Sequence, residues 1–471
     1  MKDGNFKKTI FIPLYSGQAA RNILRTDVFK ELRRDSRLRI VIFVHPKKME
    51  FYQKGFMYPN VFFELLPAIK KTIKLDFLFY RLAFWMVDSE STKVRNYRDR
   101  RRNNENFFYY CLKRFFIKFI GNIFLFKQIF RYFDIKLIKT NLFRHYFDKY
   151  NPDLVFCPNV FDRYDLILLR EAKYKKISTI GMIRSWDNLS NRGLLRVIPG
   201  HMIVHNEHMK RETLKWVTRN EKRITVCGMP HFDYYLNYYP DCEKEEFYKR
   251  FNISSDKRII IFSPLPESYG TPYWEILKKL DQAINAGRLS SDVIVLVRFM
   301  PGDNVNIEEF KIKHFNTPPN NLVFDSPGKH FLRQEEKIDW DFSDEDMKHL
   351  ANSLYFSSLV INYASTLNID AAAFNKPIIN IAFDGNKGQD IYERSIKWIF
   401  DLTHNKQITQ TNGTKLANSF DELVKYVNLY LNNASLDQAG RKRIISEQCW
   451  KHDGLAGKRV AECVLNKCGL I

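Results

Sequence analysis

A chain of 471 residues is too long for one ordinary core and predicts two domains. With 45% hydrophobic residues and no low-complexity tract, it excludes a largely disordered chain. The 75 basic residues outnumber 53 acidic ones and leave a net charge of +22, which implies an anionic partner: nucleic acid, an anionic membrane surface or a phosphorylated substrate.

The seven cysteines are scattered and form no CxxC pair, which excludes a sequence-evident zinc site or disulfide framework. The apolar run near the N-terminus is too short for a signal peptide. No window offers the roughly 18 apolar residues of a membrane span. The expectation is a cytoplasmic protein, peripheral on the inner face of the membrane.

Thr9 to Leu14 reads as a buried strand, broken by Ser16-Gly17 and followed by a helix from Ala19 to Arg34. Arg39 to Val44, ending in His45-Pro46, and Val61 to Leu66 read as two more strands. This is a Rossmann-like opening, with Gly17 allowing a tight turn below a ligand. A lone glycine is no dinucleotide fingerprint, so no NAD or FAD is expected.

From Leu75 to Tyr150 the character changes. Phe, Ile and Leu recur at helical spacing, with Lys113, Arg114, Lys118, Lys127, Arg131, Lys136 and Lys139 interleaved. Core helices with a solvated basic face are one reading. A basic, aromatic amphipathic surface on an anionic bilayer is the other. A nucleic-acid channel is disfavoured because no known module matches.

Asp153 to Cys157, Ser178 to Ile183, His201 to Val204 and Ile224 to Val226 continue the strand series. The loops RSWDNLSNRG (Arg184 to Gly193) and GMPHFDYY (Gly228 to Tyr235) follow two of them. A polar stretch, Tyr238 to Asp256, reads as a hinge. A second α/β set then begins, with strands at Arg258 to Phe262 and Val293 to Val297 and loops SPLPESYG (Ser263 to Gly270) and RFMPGDN (Arg298 to Asn304). Leu359 to Gly385 compresses strand, polar turn (Ser365-Thr366), helix and strand into one unit. The predicted division is 1–237 with a helical insertion at 75–150, 238–435, and a helical tail at 436–471 packing back on the first domain.

SWDNLSNRG (Ser185 to Gly193), VHNEHMKRE (Val204 to Glu212), VCGMPHFD (Val226 to Asp233), VRFMPGDN (Val297 to Asn304) and YASTLNIDAAAFNKPII (Tyr363 to Ile379) together resemble GT-B-type glycosyltransferases. Within these, the chain resembles bacterial surface-carbohydrate biosynthesis proteins, a group similar to the CDP-glycerol glycerophosphotransferases of teichoic acid assembly. The resemblance spans roughly Asp153 to Phe383. It implies two Rossmann-like domains facing a central cleft, a nucleotide-sugar donor used as substrate with no cofactor, and a glycan or lipid-linked acceptor in surface polysaccharide biosynthesis. An anionic membrane surface is the further partner expected; nucleic acid is not.

The roles expected follow from that chemistry. A leaving diphosphate would be stabilised without a metal by Arg298 and the helix start at Ser365 and Thr366. Pro264, Glu267, Ser268 and Pro301 complete the donor side, and Glu267 and Ser268 are otherwise a plain polar loop. Met300 stands where related proteins often have His, and Asp370 where many GT-B enzymes carry a Glu that contacts the donor. Asp187 is the expected base for the acceptor hydroxyl, with a turn or helix cap as its alternative role and His45 as the alternative base. Ser16, Gly17, Arg184, Trp186 and Asn188 are expected on the acceptor side. Asp233 reads as a structural cap. His201, His205 and His208 pass from strand into helix and are not expected to share a metal. A CDP-linked polyol-phosphate transferase, an epimerase or hydrolase on nucleotide sugars, and a non-catalytic anion- or nucleic-acid-binding protein are the competing functions.

Overall fold

The computed structural model describes residues 6–69, 74–266, 269, 272–303, 305–332, 338–385, 392 and 395–471. The chain forms two compact units, Met1–Tyr234 with Glu447–Ile471, and Tyr235–Ser446.

The first unit is built on seven parallel strands: β1 (Lys8–Leu14), β2 (Leu38–Val44), β3 (Val61–Leu65), β4 (Leu154–Cys157), β5 (Ser178–Met182), β6 (His201–Val204) and β7 (Ile224–Val226). Their order is β3-β2-β1-β4-β5-β6-β7. The strands are near-continuous apolar runs, as a sheet covered on both faces requires. The order reverses between β1 and β4, and the loops leaving the carboxyl ends of those strands flank the crevice where open α/β sheets take ligands.

The helix expected from Ala19 to Arg34 is two helices, Gly17–Leu24 and Asp27–Arg34. Thr26 divides them. Its hydroxyl donates to the carbonyls of Asn22 and Ile23 and accepts from the N–H of Val28, closing one helix and capping the next. The last helix, Ala456–Cys468, packs beside the second of these, with Val460, Val464 and Leu465 joining the core of Ile10, Ile40 and Val28. Gly457 permits that approach, since a Cβ there would lie 3.1 Å from Asp27 and Val28 backbone nitrogens.

Between β3 and β4 the chain is helical: Lys74–Ala83, Glu90–Arg102, Phe107–Phe115, Phe124–Leu137 and Arg144–Tyr150. Here the structure corrects the sequence reading. Lys127 and Arg131, counted among the basic residues of an outer face, are buried. The Arg131 guanidinium donates to the carbonyls of Leu195 (2.8 Å), Trp216 (3.0 Å) and Val217 (3.3 Å), which satisfies it without a carboxylate. Burial pulls Lys127 down to about 8 and Arg131 to about 9.

The second unit carries six parallel strands: β8 (Arg258–Phe262), β9 (Val293–Arg298), β10 (Leu322–Asp325), β13 (Ser357–Asn362), β14 (Ile378–Ile381) and β15 (Lys415–Ala417), in the order β10-β9-β8-β13-β14-β15. A hairpin, β11 (Lys329–Leu332) with β12 (Ile338–Asp341), is separate and antiparallel. Neither the hairpin nor β15 was legible as a strand in the sequence. The order is again Rossmann-like, and its reversal falls between β8 and β13. Among the described residues, no helix is long and apolar enough to cross a membrane.

Candidate functional site

The polar residues singled out from the sequence fall at the carboxyl ends of the strands in each unit. In the first unit Ser16 follows β1 and caps the next helix, its Oγ accepting from the N–H of Ala19 at 3.3 Å. Gly17 is the first residue of that helix and does not take the left-handed conformation that only a glycine would favour. The turn expected to need a glycine is therefore made by an ordinary helix start. His45 follows β2 and is likewise a cap, its Nδ1 accepting from the N–H of Lys47 at 3.3 Å.

Asp187 follows β5, on the short helix Asn188–Asn191. Three inter-strand steps separate β2 from β5, about 14 Å at the usual strand spacing. The two candidate bases thus sit on loops well apart. Asp187 stands at the N-cap position, yet no side-chain cap is made there. Its Oδ1 accepts from Asn188 Nδ2 at 3.1 Å instead. Trp186 and Asn188 are buried around it, while Asp187 and Arg184 remain half-exposed. Burial lowers the Arg184 guanidinium from its ordinary value, as does neighbouring Arg192, against the opposing charges of Asp187, Asp162 and Asp165. The loop is a compact cluster of opposite charges.

Two residues absent from the expected site belong beside it. Glu212 lies on the helix Glu207–Trp216 that follows β6, close enough to Asp187 for the two carboxylates to repel. Burial is the main cause of its rise to about 8, with Lys215 pulling the other way and Asp187 adding to it. Glu212 therefore carries its proton at neutral pH next to Asp187. His205, at the end of β6, is fully buried and held down to about 4 by burial. The motif VHNEHMKRE contained both residues, but a single sequence could not show that β5 and β6 are neighbours. His201 bonds Thr225 Oγ1 at 2.8 Å and His208 lies 3.5 Å from Glu447. Among the described residues no cluster of His, Cys, Asp and Glu could hold a metal ion. Asp233 accepts from the N–H of Gly457 at 2.8 Å, at the start of the last helix.

In the second unit the loop after β13 is held by a frame of buried asparagines. Asn362 Oδ1 accepts from the N–H of Ser365 at 3.1 Å, Asn380 Oδ1 from that of Ala364 at 3.0 Å, and Asn362 Nδ2 donates to Asn368 Oδ1 at 2.8 Å. Ala364 is forced to a φ of 53°, a left-handed conformation costly for an alanine. The result presents the Ser365 and Thr366 hydroxyls at the start of the helix Leu367–Ala373, beside the reversal point of the sheet. Ser365 Oγ also accepts from the N–H of Leu367 at 3.2 Å, and Thr366 is exposed. Pro264, after β8, is buried next to that reversal point.

Two donor-side residues are placed differently from the expectation. Arg298 is buried and ion-paired with Asp325 on the adjoining β10, and that carboxylate also meets His349 Nε2 at 3.0 Å. Burial pushes Asp325 up, but Arg298 and His349 outweigh it and hold the carboxyl below its ordinary value. The charge expected to meet a diphosphate is compensated inside the unit. Asp370 is also buried, and its Oδ1 accepts from the Tyr235 hydroxyl at 2.9 Å. Pro301 accepts at its carbonyl from His330 Nε2. Glu267 and Ser268 lie outside the described residues.

Residues 182–466 match the family described as CDP-Glycerol:Poly(glycerophosphate) glycerophosphotransferase. That is well over half of the chain. The protein belongs to this glycerophosphotransferase family. It is a transferase, and the match takes in Asp187, Glu212, Arg298, Ser365 and Asp370 while leaving out Ser16, Gly17, His45 and the helical insertion. Solved structures agree on the GT-B fold. The S. aureus MnaA–UDP co-structure has a TM-score of 0.56 at 13% identity, covering 98% of both chains. The UDP-GlcNAc 2-epimerase of Neisseria meningitidis bound to UDP-GlcNAc has a TM-score of 0.56 at 11% identity, covering 97% of this chain and all of that one (100%). The wall teichoic acid polymerase TagF has 0.52 at 12% identity, covering 99% and 90%. No curated protein matches the sequence.

Proposed function

We propose that this member of the glycerophosphotransferase family moves a polyol phosphate from a CDP-linked donor onto a hydroxyl of a glycan or lipid-linked acceptor at an anionic membrane surface. The observation that carries the reading is the family match, which runs from the Asp187 loop of the first unit through the whole strand set of the second. In the reaction the acceptor oxygen bonds to the phosphorus that carries the polyol. The bond from that phosphorus to the bridging oxygen breaks, and CMP departs with the bridging oxygen. Asp187 takes the acceptor proton. The hydroxyls of Ser365 and Thr366 and the helix start behind them bind the donor phosphates. Asp370 and Arg298 support that loop and strand end from within. Protonated Glu212 keeps the surroundings of Asp187 from carrying a second negative charge.

The test is a thermal-shift series with CDP-glycerol, CDP-ribitol, CMP, UDP-GlcNAc and UDP, followed by transfer assays with the ligand that stabilises. Stabilisation by the cytidine ligands and CMP release in the presence of acceptor is the expected result. Stabilisation by UDP-GlcNAc alone would instead make the protein a nucleotide-sugar glycosyltransferase. A response to none of them would overturn the transferase assignment of the site.

A further inference from the structure

The helix Phe124–Leu137 is amphipathic in reverse. Its buried positions are Lys127, Phe130, Arg131 and Asp134, so three of the four side chains it turns inward are charged. Its outward positions carry Leu125 (67% exposed), Ile129, Tyr132 (58%), Phe133 and Leu137 (54%). In water the ordinary arrangement is the opposite. The inversion is not loose packing, because two of the three inward charges are held by hydrogen bonds. Arg131 meets three carbonyls, and Asp134 accepts from Arg170 at 2.7 Å and Arg196 at 2.5 Å. These bonds fix which way the helix faces.

The preceding helix adjoins it through Phe116, whose ring meets that of Phe126 with centroids 5.9 Å apart. Phe107–Phe115 buries no side chain at all, and Phe108 (77% exposed), Leu112 and Phe115 stand out from it. Large apolar side chains exposed in this number mark a partner surface. Charge says which one. From Phe107 to Lys139 the only carboxylate is Asp134, which is buried, whereas Lys118, Lys136 and Lys139 are exposed around the aromatic residues. Aromatic side chains ringed by lysines, with polar groups turned inward, suit the interface of an anionic bilayer. A protein partner or a second copy would gain nothing from the absence of carboxylates on this face.

We infer that the outward face of the helices Phe107–Phe115 and Phe124–Leu137 is a docking surface that inserts into the headgroup region of an anionic membrane. This deepens the proposal of a membrane-surface acceptor and rests on it for its purpose. It is tested without donor or acceptor, so the two can fail separately. The full chain is co-sedimented with phosphatidylglycerol and with phosphatidylcholine vesicles at about 0.15 M salt. Tighter binding to phosphatidylglycerol is expected. Phe108→Ser/Leu125→Ser/Phe133→Ser should lose at least tenfold in affinity, with an unchanged melting temperature because these side chains are exposed. Phe108→Ser alone should lose several-fold and serves if the triple variant misfolds. Lys118→Gln/Lys136→Gln should weaken binding to phosphatidylglycerol about tenfold or more and leave phosphatidylcholine unaffected. Equal binding to both vesicles, or variants that bind like the wild type, would overturn the inference. So would a wild-type dimer in analytical ultracentrifugation that the triple variant dissociates, since the face would then belong to a second copy.

Discussion

Arg170 Nη2 donates to Asp134 Oδ1 at 2.7 Å with both side chains out of water, and Arg196 Nε takes the other oxygen, Oδ2, at 2.5 Å. One carboxylate from the insertion thus neutralises two guanidiniums of the sheet-bearing part of the first unit. Arg196 also reaches Asp76 at 2.8 Å, on another insertion helix. Removing Asp134 leaves two buried cations with Asp76 as their remaining carboxylate, 2.8 Å from Arg196 but 3.8 Å from Arg170. Asp134→Ala should therefore cost about 3–5 kcal/mol in urea unfolding. Asp76→Ala should cost markedly less, because Asp134 still serves both arginines. Equal losses would mean that the insertion is not anchored through Asp134.

Asp187→Asn keeps the size of the side chain and its place beside Asn188 but removes the proton acceptor. Transfer should fall by roughly 10²–10⁴-fold, while stabilisation by the donor is retained. Loss of donor stabilisation together with turnover would assign Asp187 to binding. His45→Gln should leave turnover within about threefold of wild type, because its imidazole caps a turn on a different strand.

Stability should peak near pH 6. Glu212 is pushed up to about 8 from an ordinary 4.5, so the folded chain holds its proton more tightly than the unfolded one. The stability this brings is complete below about 4.5 and is lost as pH rises to about 8. His201 and His205 are held down to about 4 from 6.5, so the unfolded chain binds protons more readily and stability is lost as pH falls between those values. Each unit of displacement corresponds to about 1.4 kcal/mol at most. Glu212→Gln should flatten the alkaline side of a melting-temperature profile and leave the acid side in place. An unchanged alkaline limb would show that Glu212 titrates normally.

Arg298 and Asp325 make a buried ion pair, so single substitutions should be worse than removing both. Asp325→Asn should lose about 3 kcal/mol or more, and Arg298→Met/Asp325→Leu should recover much of it. If Arg298 instead contacts donor phosphate, Arg298→Gln would weaken donor stabilisation far more than it lowers the melting temperature of the free protein. The compensated charge predicts the reverse.

Much of this fold was written in local pattern. Apolar runs such as Val293–Arg298 and Leu38–Val44 are strands because each is buried on both faces of a parallel sheet, and nothing distant is needed to see it. The loop residues Asp187, Ser365 and Thr366 were legible for the same reason, since they follow such runs directly. Where the pattern ran across a hydroxyl that could cap, as at Thr26, the sequence suggested one helix and the backbone made two.

Pairing across strands and helices was decided only in three dimensions. Whether Arg298 was an open cation depended on which strand lay beside β9, and Asp325 on β10 answered it. Whether Glu212 mattered depended on β6 lying next to β5. The periodicity of Phe124–Leu137 announced two faces, one aromatic and one charged, but it was silent about which would turn inward. Burial of apolar surface alone favours the aromatic face. Carbonyls from Leu195, Trp216 and Val217 and the guanidiniums of Arg170 and Arg196 outweighed it, because a charge whose hydrogen bonds are supplied by the fold can be buried. The sequence by itself determined the elements and the chemistry available at their ends; the tertiary structure decided which charges were spent on the fold and which surface was left for a partner.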